Sequence, residues 1–251
     1  MTTTTAVSVV VDRWAPLIRG TGIAGLITVG MLFAPIVAIS TLDEPPFTAT
    51  AEQAQAFFIN GSVGWVQLAT VVTNLAAIGL IWFVVGLALL LARAEGSPPW
   101  RSGVALVSGV LLAAYVLLDV SWDAASYGAA YLDPAVGSFA FDLGSLGFAN
   151  IWLAMGSFAV CCGWVVLSTR VLARWLGWWA IVAGGGLILV RFAWSGEIWF
   201  APYSLFWLWV IIVCIQLIRR KIAWSVPAAP DAAKEGVPGE RLEAAFEHEV
   251  D

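Results

Sequence analysis

The chain has 251 residues, 61% of them hydrophobic and 12% charged, with a mean hydropathy of +0.88. A soluble domain carries about 25% charged residues, so this composition excludes a chain folded wholly in water and makes lipid its main solvent. The formal net charge of −5 comes from the tail, where seven acids after Lys221 face only Lys234 and Arg241; the neutral remainder has no basic face and excludes a nucleic-acid binder.

Six apolar segments reach the ~20 residues needed to cross ~30 Å of hydrocarbon. The first runs from about Gly20 to Ser40, with a kink expected at Pro35. A secretory signal peptide is the competing reading of this segment. Such a peptide has a short apolar core and a small-residue cleavage site, whereas this run is full length and ends in Asp43-Glu44-Pro45-Pro46, so we read a retained anchor. A loop over 41–62 follows. Within it, 51–58 is expected to form a short interfacial helix, and Ser62 of Asn60-Gly61-Ser62 reads as an N-cap. The second span runs from about Val63 to Ala92 and is long enough to tilt or protrude. After a short Pro98-Pro99 loop comes the third, Gly103 to Val120, and then a long loop over 121–146. The fourth, Gly147 to Leu167, and the fifth, Trp175 to Phe192, are joined by the short segment 168–174. The sixth runs from Trp199 to Ile218. From about Val226 the Ala/Pro/Glu-rich composition predicts a disordered tail, giving a membrane domain over 1–221 and an acidic tail over 222–251.

Charge sets the expected threading. Lys and Arg are retained on the cytoplasmic side near helix ends. With six spans, Arg13, Arg19, Arg93, Arg101, Arg170, Arg174, Arg219, Arg220 and Lys221 share one side, and Arg191 alone falls near the other. A five- or seven-span count scrambles this separation. The fold class expected is therefore an all-α, polytopic six-helix bundle with both termini cytoplasmic, in a bacterial plasma membrane. Most of the 15 tryptophans fall near span ends and read as interfacial anchors. Trp82, Trp152, Trp164, Trp207 and Trp209 sit deeper, and an aromatic ligand cage is the alternative for them.

Polar residues inside apolar helices are costly, and usually face the bundle interior or a wet cavity. Gln67, Thr70 and Asn74 share one face of the second span. Tyr115, Asp119 and Asp123 share one face of the third, while Asn150 opens the fourth and Arg191 closes the fifth. At 1.5 Å rise per residue, these groups fall in the outer half of the bilayer or at its edge. Two readings stand side by side. One is a structural ion pair, Asp119–Arg191, with Glu197 and Asp142 as alternative partners. The other is an outward-facing ligand site lined by Gln67, Asn74, Tyr115, Asp119, Asn150 and Arg191, binding or moving a small polar or amphipathic molecule. A third reading, carboxylate chemistry by Asp119, Asp123 and Asp142, rests only on helical spacing. A non-catalytic scaffold or accessory subunit is the remaining alternative, motivated by Gly22, Gly25, Gly30 and Gly184-Gly185-Gly186, which permit close helix approach.

The only histidine is His248, in the tail. Bis-His haem ligation, a His-based zinc site and a Ser-His hydrolase therefore have no base or ligand in the membrane body. Cys161, Cys162 and Cys214 lie in apolar runs and read as small buried groups. No cofactor and no metal are expected; membrane lipids are the expected partners.

Leu146-Gly147-Phe148-Ala149-Asn150, the apolar run after it, and Val171-Leu172-Ala173-Arg174-Trp175-Leu176-Gly177-Trp178 with Ala183-Gly184 resemble a broad group of uncharacterised bacterial six-helix membrane proteins. The likeness covers the fourth and fifth spans. It implies the topology and carries no assigned activity.

Overall fold

The computed structural model describes residues 14–39, 45–46, 49–61, 64–118, 133–194 and 197–219. Within them the chain forms seven α-helices and no strand. These are α1 (Trp14–Ile39), α2 (Ala51–Gly61), α3 (Gly64–Glu95), α4 (Trp100–Leu118), α5 (Pro134–Thr169), α6 (Arg174–Val190) and α7 (Phe200–Arg219). Short 3-10 turns occupy Arg191–Ala193 and Glu197–Trp199. All but α2 are long and apolar enough to cross a membrane. The acidic tail and the expected Ser62 cap lie outside the described residues.

The spanning helices pack in chain order, α1 on α3, α3 on α4, α4 on α5, α5 on α6, α6 on α7, and α7 back on α1. The result is a closed ring. Its centre is filled by rings from three helices: Phe158 of α5 packs 6.5 Å from Phe83 of α3, 6.4 Å from Phe206 and 6.2 Å from Trp209 of α7.

Lipid supplies no hydrophobic drive between helices, so close packing must hold the ring together. Two pairs show how. On α5 and α6, Gly156 faces Gly184 and Gly163 faces Gly177; a Cβ at Gly156 would stand 2.7 Å from the Gly184 carbonyl, and one at Gly163 would stand 2.6 Å from the Gly177 carbonyl. On α1 and α3, Thr28 seats against Gly79 and Thr21 against Gly86, while the Thr21 hydroxyl donates to the Leu17 carbonyl at 2.8 Å. Both antiparallel pairs repeat their contact every seven residues, the spacing of two helical turns. Indole hydrogen bonds join α6 to α7: Trp209 Nε1 donates to Leu176 O at 3.0 Å and Trp179 Nε1 to Leu205 O at 2.9 Å.

Two helices exceed what a bilayer requires. At 1.5 Å per residue the 32 residues of α3 span about 48 Å and the 36 of α5 about 54 Å, against ~30 Å of hydrocarbon. The excess of α5 corrects the sequence reading, which placed a loop over 121–146 and began the helix near Gly147. The helix begins at Pro134, with Asp133 as N-cap accepting from Ala135 N at 2.8 Å. Proline suits the first helical turn because its missing N–H is not needed there. Ser138, Asp142 and Gly144 interrupt the hydropathy of this stretch and hid it. The extension is covered by α2: Phe57 and Phe58 pack with Phe141 in edge-on contacts, with Ala54 buried beside them. The expected short helix at 51–58 is α2, which opens with a reciprocal capping box. Thr50 N donates to Gln53 Oε1 and Gln53 N donates to Thr50 Oγ1. The first span also begins earlier than expected, at Trp14 rather than near Gly20.

At the other end of the bundle, where the α3–α4 and α5–α6 hairpins turn, one carboxylate organises the structure. Glu95 accepts from Arg101 N and Ser102 N, from the Ser102 hydroxyl, and from Arg101 Nε at 2.8 Å. It thereby caps the open N-terminus of α4 from the last residue of α3. Arg101 also donates to Ser168 Oγ at 3.0 Å and lies over Trp164, which Trp100 meets edge-on. Arg93 lies 4.5 Å from the Trp14 ring centroid.

Candidate functional site: Arg191 and Asn150

Arg191 opens the 3-10 turn that ends α6, so its cation stands where that helix leaves its last carbonyls. It donates Nε at 2.9 Å and Nη2 at 2.7 Å to a single acceptor, Asn150 Oδ1 of α5. Measured along the helices from the hairpin end, Arg191 lies about 25 Å up α6 and Asn150 about 28 Å up α5. Both stand near one boundary of a ~30 Å hydrocarbon slab.

The face of α5 matters more than the depth. Phe148 and Trp152 point to the centre, where Phe148 meets Trp199 and Tyr203, and Trp152 stacks on Trp199 at 5.7 Å. Asn150 lies between them in sequence, and so on the opposite side of the helix, about 200° from Phe148. Its neighbours on that face are Leu143, Leu146 and Leu153, all exposed. Asn150 is itself exposed. The amide and the guanidinium it holds therefore sit on the perimeter of the ring.

Tyr115 of α4 reaches the same level from the other side of α5. Its ring lies against Gly147, where an added Cβ would meet Cε2 at 3.0 Å and the hydroxyl oxygen at 3.3 Å. Gly147 is one turn before Asn150, so Tyr115, Asn150 and Arg191 form one band across α4, α5 and α6. Asn74 and Gln67 are partly buried on α3. Asn74 stands about 32 Å along α3 from Glu95, close to the Asn150 level, whereas Gln67 stands about 42 Å along it, above the band. Thr70 and Thr73 between them turn their hydroxyls back to Val66 O and Ala69 O at 3.1 Å. Asp119 and Asp123 lie outside the described residues, and with them the expected Asp119–Arg191 pair. Asp142 is helical and exposed on the α5 extension. Among the described residues Glu95–Arg101 is the one salt bridge, and no group of three acids, histidines or cysteines stands ready to hold a metal.

Of the deeper tryptophans, Trp152, Trp207 and Trp209 pack as core, whereas Trp82 and Trp164 are exposed, at 71% and 49%. Phe148, Trp152, Trp199 and Tyr203 touch one another at 5.3–5.7 Å, so these rings occupy the space a cage would enclose. Among the described residues Trp152 Nε1 is buried without a hydrogen-bond partner. The three cysteines are free, with Cys214 seated on Gly25 of α1. Sequence reasoning missed Glu95 as an organising group. Its signal was an acid ahead of Gly96-Ser97-Pro98-Pro99, a turn short enough to bring the next helix start onto it.

Comparisons with protein-family models, with curated proteins and with solved structures find no match.

Proposed function

We propose that this is a multi-pass plasma-membrane protein, its helical unit beginning and ending on the cytoplasmic side, that binds or moves an amphipathic molecule at the Tyr115–Asn150–Arg191 band. The cytoplasmic side is assigned to the hairpin end, where the bases collect. The observation that carries the reading is the Arg191–Asn150 contact. A guanidinium at a hydrocarbon boundary is free to snorkel toward water, yet here it is held by an amide on a perimeter face, open to molecules arriving through the bilayer.

The test is ligand-dependent thermal stabilisation of the purified chain across a panel of amphipathic molecules, with Asn150→Leu and Arg191→Gln beside the wild type. The reading expects both variants to unfold near the wild-type temperature and to lose the ligand-dependent gain. Collapse of both variants without ligand, with the gain intact in whatever folds, would make the contact structural.

A second reading, an accessory subunit, keeps Gly30 and Gly185 of its glycines, which meet nothing within 4 Å, and loses the rest to packing within the bundle. Gly22 and Gly25 face α7, Gly184 faces Gly156, and Gly186 faces Pro202, all within the chain. It draws further on Val136, Phe139 and Leu143, exposed apolar side chains on the α5 extension. A stoichiometric partner that co-purifies with the wild type and is lost with Phe139→Ser would favour it.

A further inference from the structure

We infer that the Arg191–Asn150 contact is a headgroup site for a glycerophospholipid, taking the phosphodiester from the leaflet at the α2 end while the acyl chains lie along α5 and α6. This rests on the reading above and names its ligand class. Four observations meet here. The first is charge: Arg191 is in no ion pair among the described residues, and the partner they give its full positive charge is a neutral amide. The second is geometry. Asn150 Oδ1 takes Nε and one Nη2 hydrogen, which fixes the plane of the guanidinium and leaves Nη1 and the second Nη2 hydrogen for another acceptor. Phosphate oxygens match that fork, and charge-assisted bonds of this kind are the strong ones.

The third is the amide itself. Asn150 spends its acceptor on Arg191, so its Nδ2 hydrogens add donors beside the same spot. Among the described residues donors thus gather around one acceptor already in use, which selects an anion over a cation. The fourth is the surround. Leu189 is 69% and Phe192 is 87% exposed, and Leu146 and Leu153 flank Asn150 on its exposed face. Fatty chains fit that surface, whereas a free polar anion gains nothing from it. Counted along α6, Arg191 stands near the hydrocarbon edge, next to the headgroup layer. An arginine at an interface meets phosphates in any protein; what sets this one apart is the amide that holds its donors in one orientation.

The experiment uses the full chain, released from membranes and examined by native mass spectrometry with added palmitoyl-oleoyl phosphatidylglycerol or with the matching diacylglycerol, which lacks the phosphate. Wild type is expected to retain the phospholipid about tenfold better than the diacylglycerol, the scale of one or two charge-assisted hydrogen bonds. Arg191→Gln and Asn150→Leu should bring the ratio to about one. Arg19→Gln, which removes an exposed arginine of α1, should leave it unchanged. Equal retention of the two lipids by wild type overturns the inference without need of any variant that folds. So does a preference that survives Arg191→Gln, because the phosphate would then be read elsewhere. Displacement of the phospholipid by millimolar inorganic phosphate would assign the site to the free anion and overturn the lipid. If wild type shows no phosphate preference but Asn150→Leu loses both lipids, the phosphate falls and the amphipathic site stands; if both variants bind both lipids as wild type does, the two readings fall together.

Discussion

Replacing Gly163 by alanine tests whether the α5–α6 seam is held by backbone contact. A Cβ at Gly163 would stand 2.6 Å from the Gly177 carbonyl, whereas ordinary van der Waals contact begins at 3.4 Å. The helices must therefore separate locally by about 0.8 Å. The atom it meets is main chain, so no rotamer change relieves the clash. Overpacking of this kind costs about 1–3 kcal/mol, and in lipid no hydrophobic term offsets the lost contact. At roughly 2–4 °C per kcal/mol for a chain of this size, a midpoint near 2 kcal/mol lowers Tm by roughly 4–8 °C. Thermal unfolding in one detergent, followed by tryptophan fluorescence and by size exclusion, measures it. Gly185→Ala is the control, since nothing lies within 4 Å of its would-be Cβ. The double variant Gly156→Ala/Gly163→Ala sharpens the test. Both positions open one seam by nearly the same amount, so the second substitution should cost less than it does alone, a coupling that double-mutant cycles resolve. Should Gly163→Ala unfold together with Gly185→Ala, close backbone approach is not what holds these helices, and the reasoning fails.

Other predictions follow from the remaining contacts. Glu95→Ala removes the acceptor for two backbone amides, a hydroxyl and Arg101; a loss of about 2–4 kcal/mol is expected, with hydrogen exchange rising first at 100–103. Phe58→Ala should cost about 3 kcal/mol but only locally, so that exchange rises across 51–61 and 134–141 while α6 and α7 keep their protection. Arg170 ends α5 in the left-handed region at φ 59°. Arg170→Gly should therefore raise stability by up to about 1 kcal/mol, read as a higher Tm. Cysteines placed at Phe139 and, in a separate variant, at Arg170, both in a background lacking the three native cysteines, should react differently with an impermeant thiol reagent on intact cells. Labelling of the first alone is expected; labelling of the second alone would reverse the threading.

What the sequence discloses here follows from what lipid demands. A span must be apolar for about 20 residues, so the six membrane helices and their order are legible from hydropathy, and α2 from its turn-like surroundings and short run. The α5 extension is not, because once a helix leaves the bilayer it no longer has to be apolar, and the Asp133–Pro134 cap that starts it looks like loop chemistry. Arg191 and Asn150 could be singled out as costly residues at one depth, and they do meet. Their face could not be read. The sequence rule sends polar side chains inward, yet the alternation of Phe148, Asn150 and Trp152 puts the bulky rings inside and the amide out. That follows only from knowing which side of α5 meets α7. Glu95 was invisible for a related reason: its worth lies in the amides of the next helix, which no side-chain pattern records.

The closure of α1 by α7 bears on how the molecule is made. Chains emerge from the ribosome N-terminus first, so α1 and α3 can lock their Thr–Gly seam early. Gly25 can meet Phe83 of α3 early, but Gly22 has nothing to rest on until Cys214 and its helix are synthesised. The last helix of the ring to be made is thus the one that completes the wall begun by the first, and the ring cannot close before its own synthesis does.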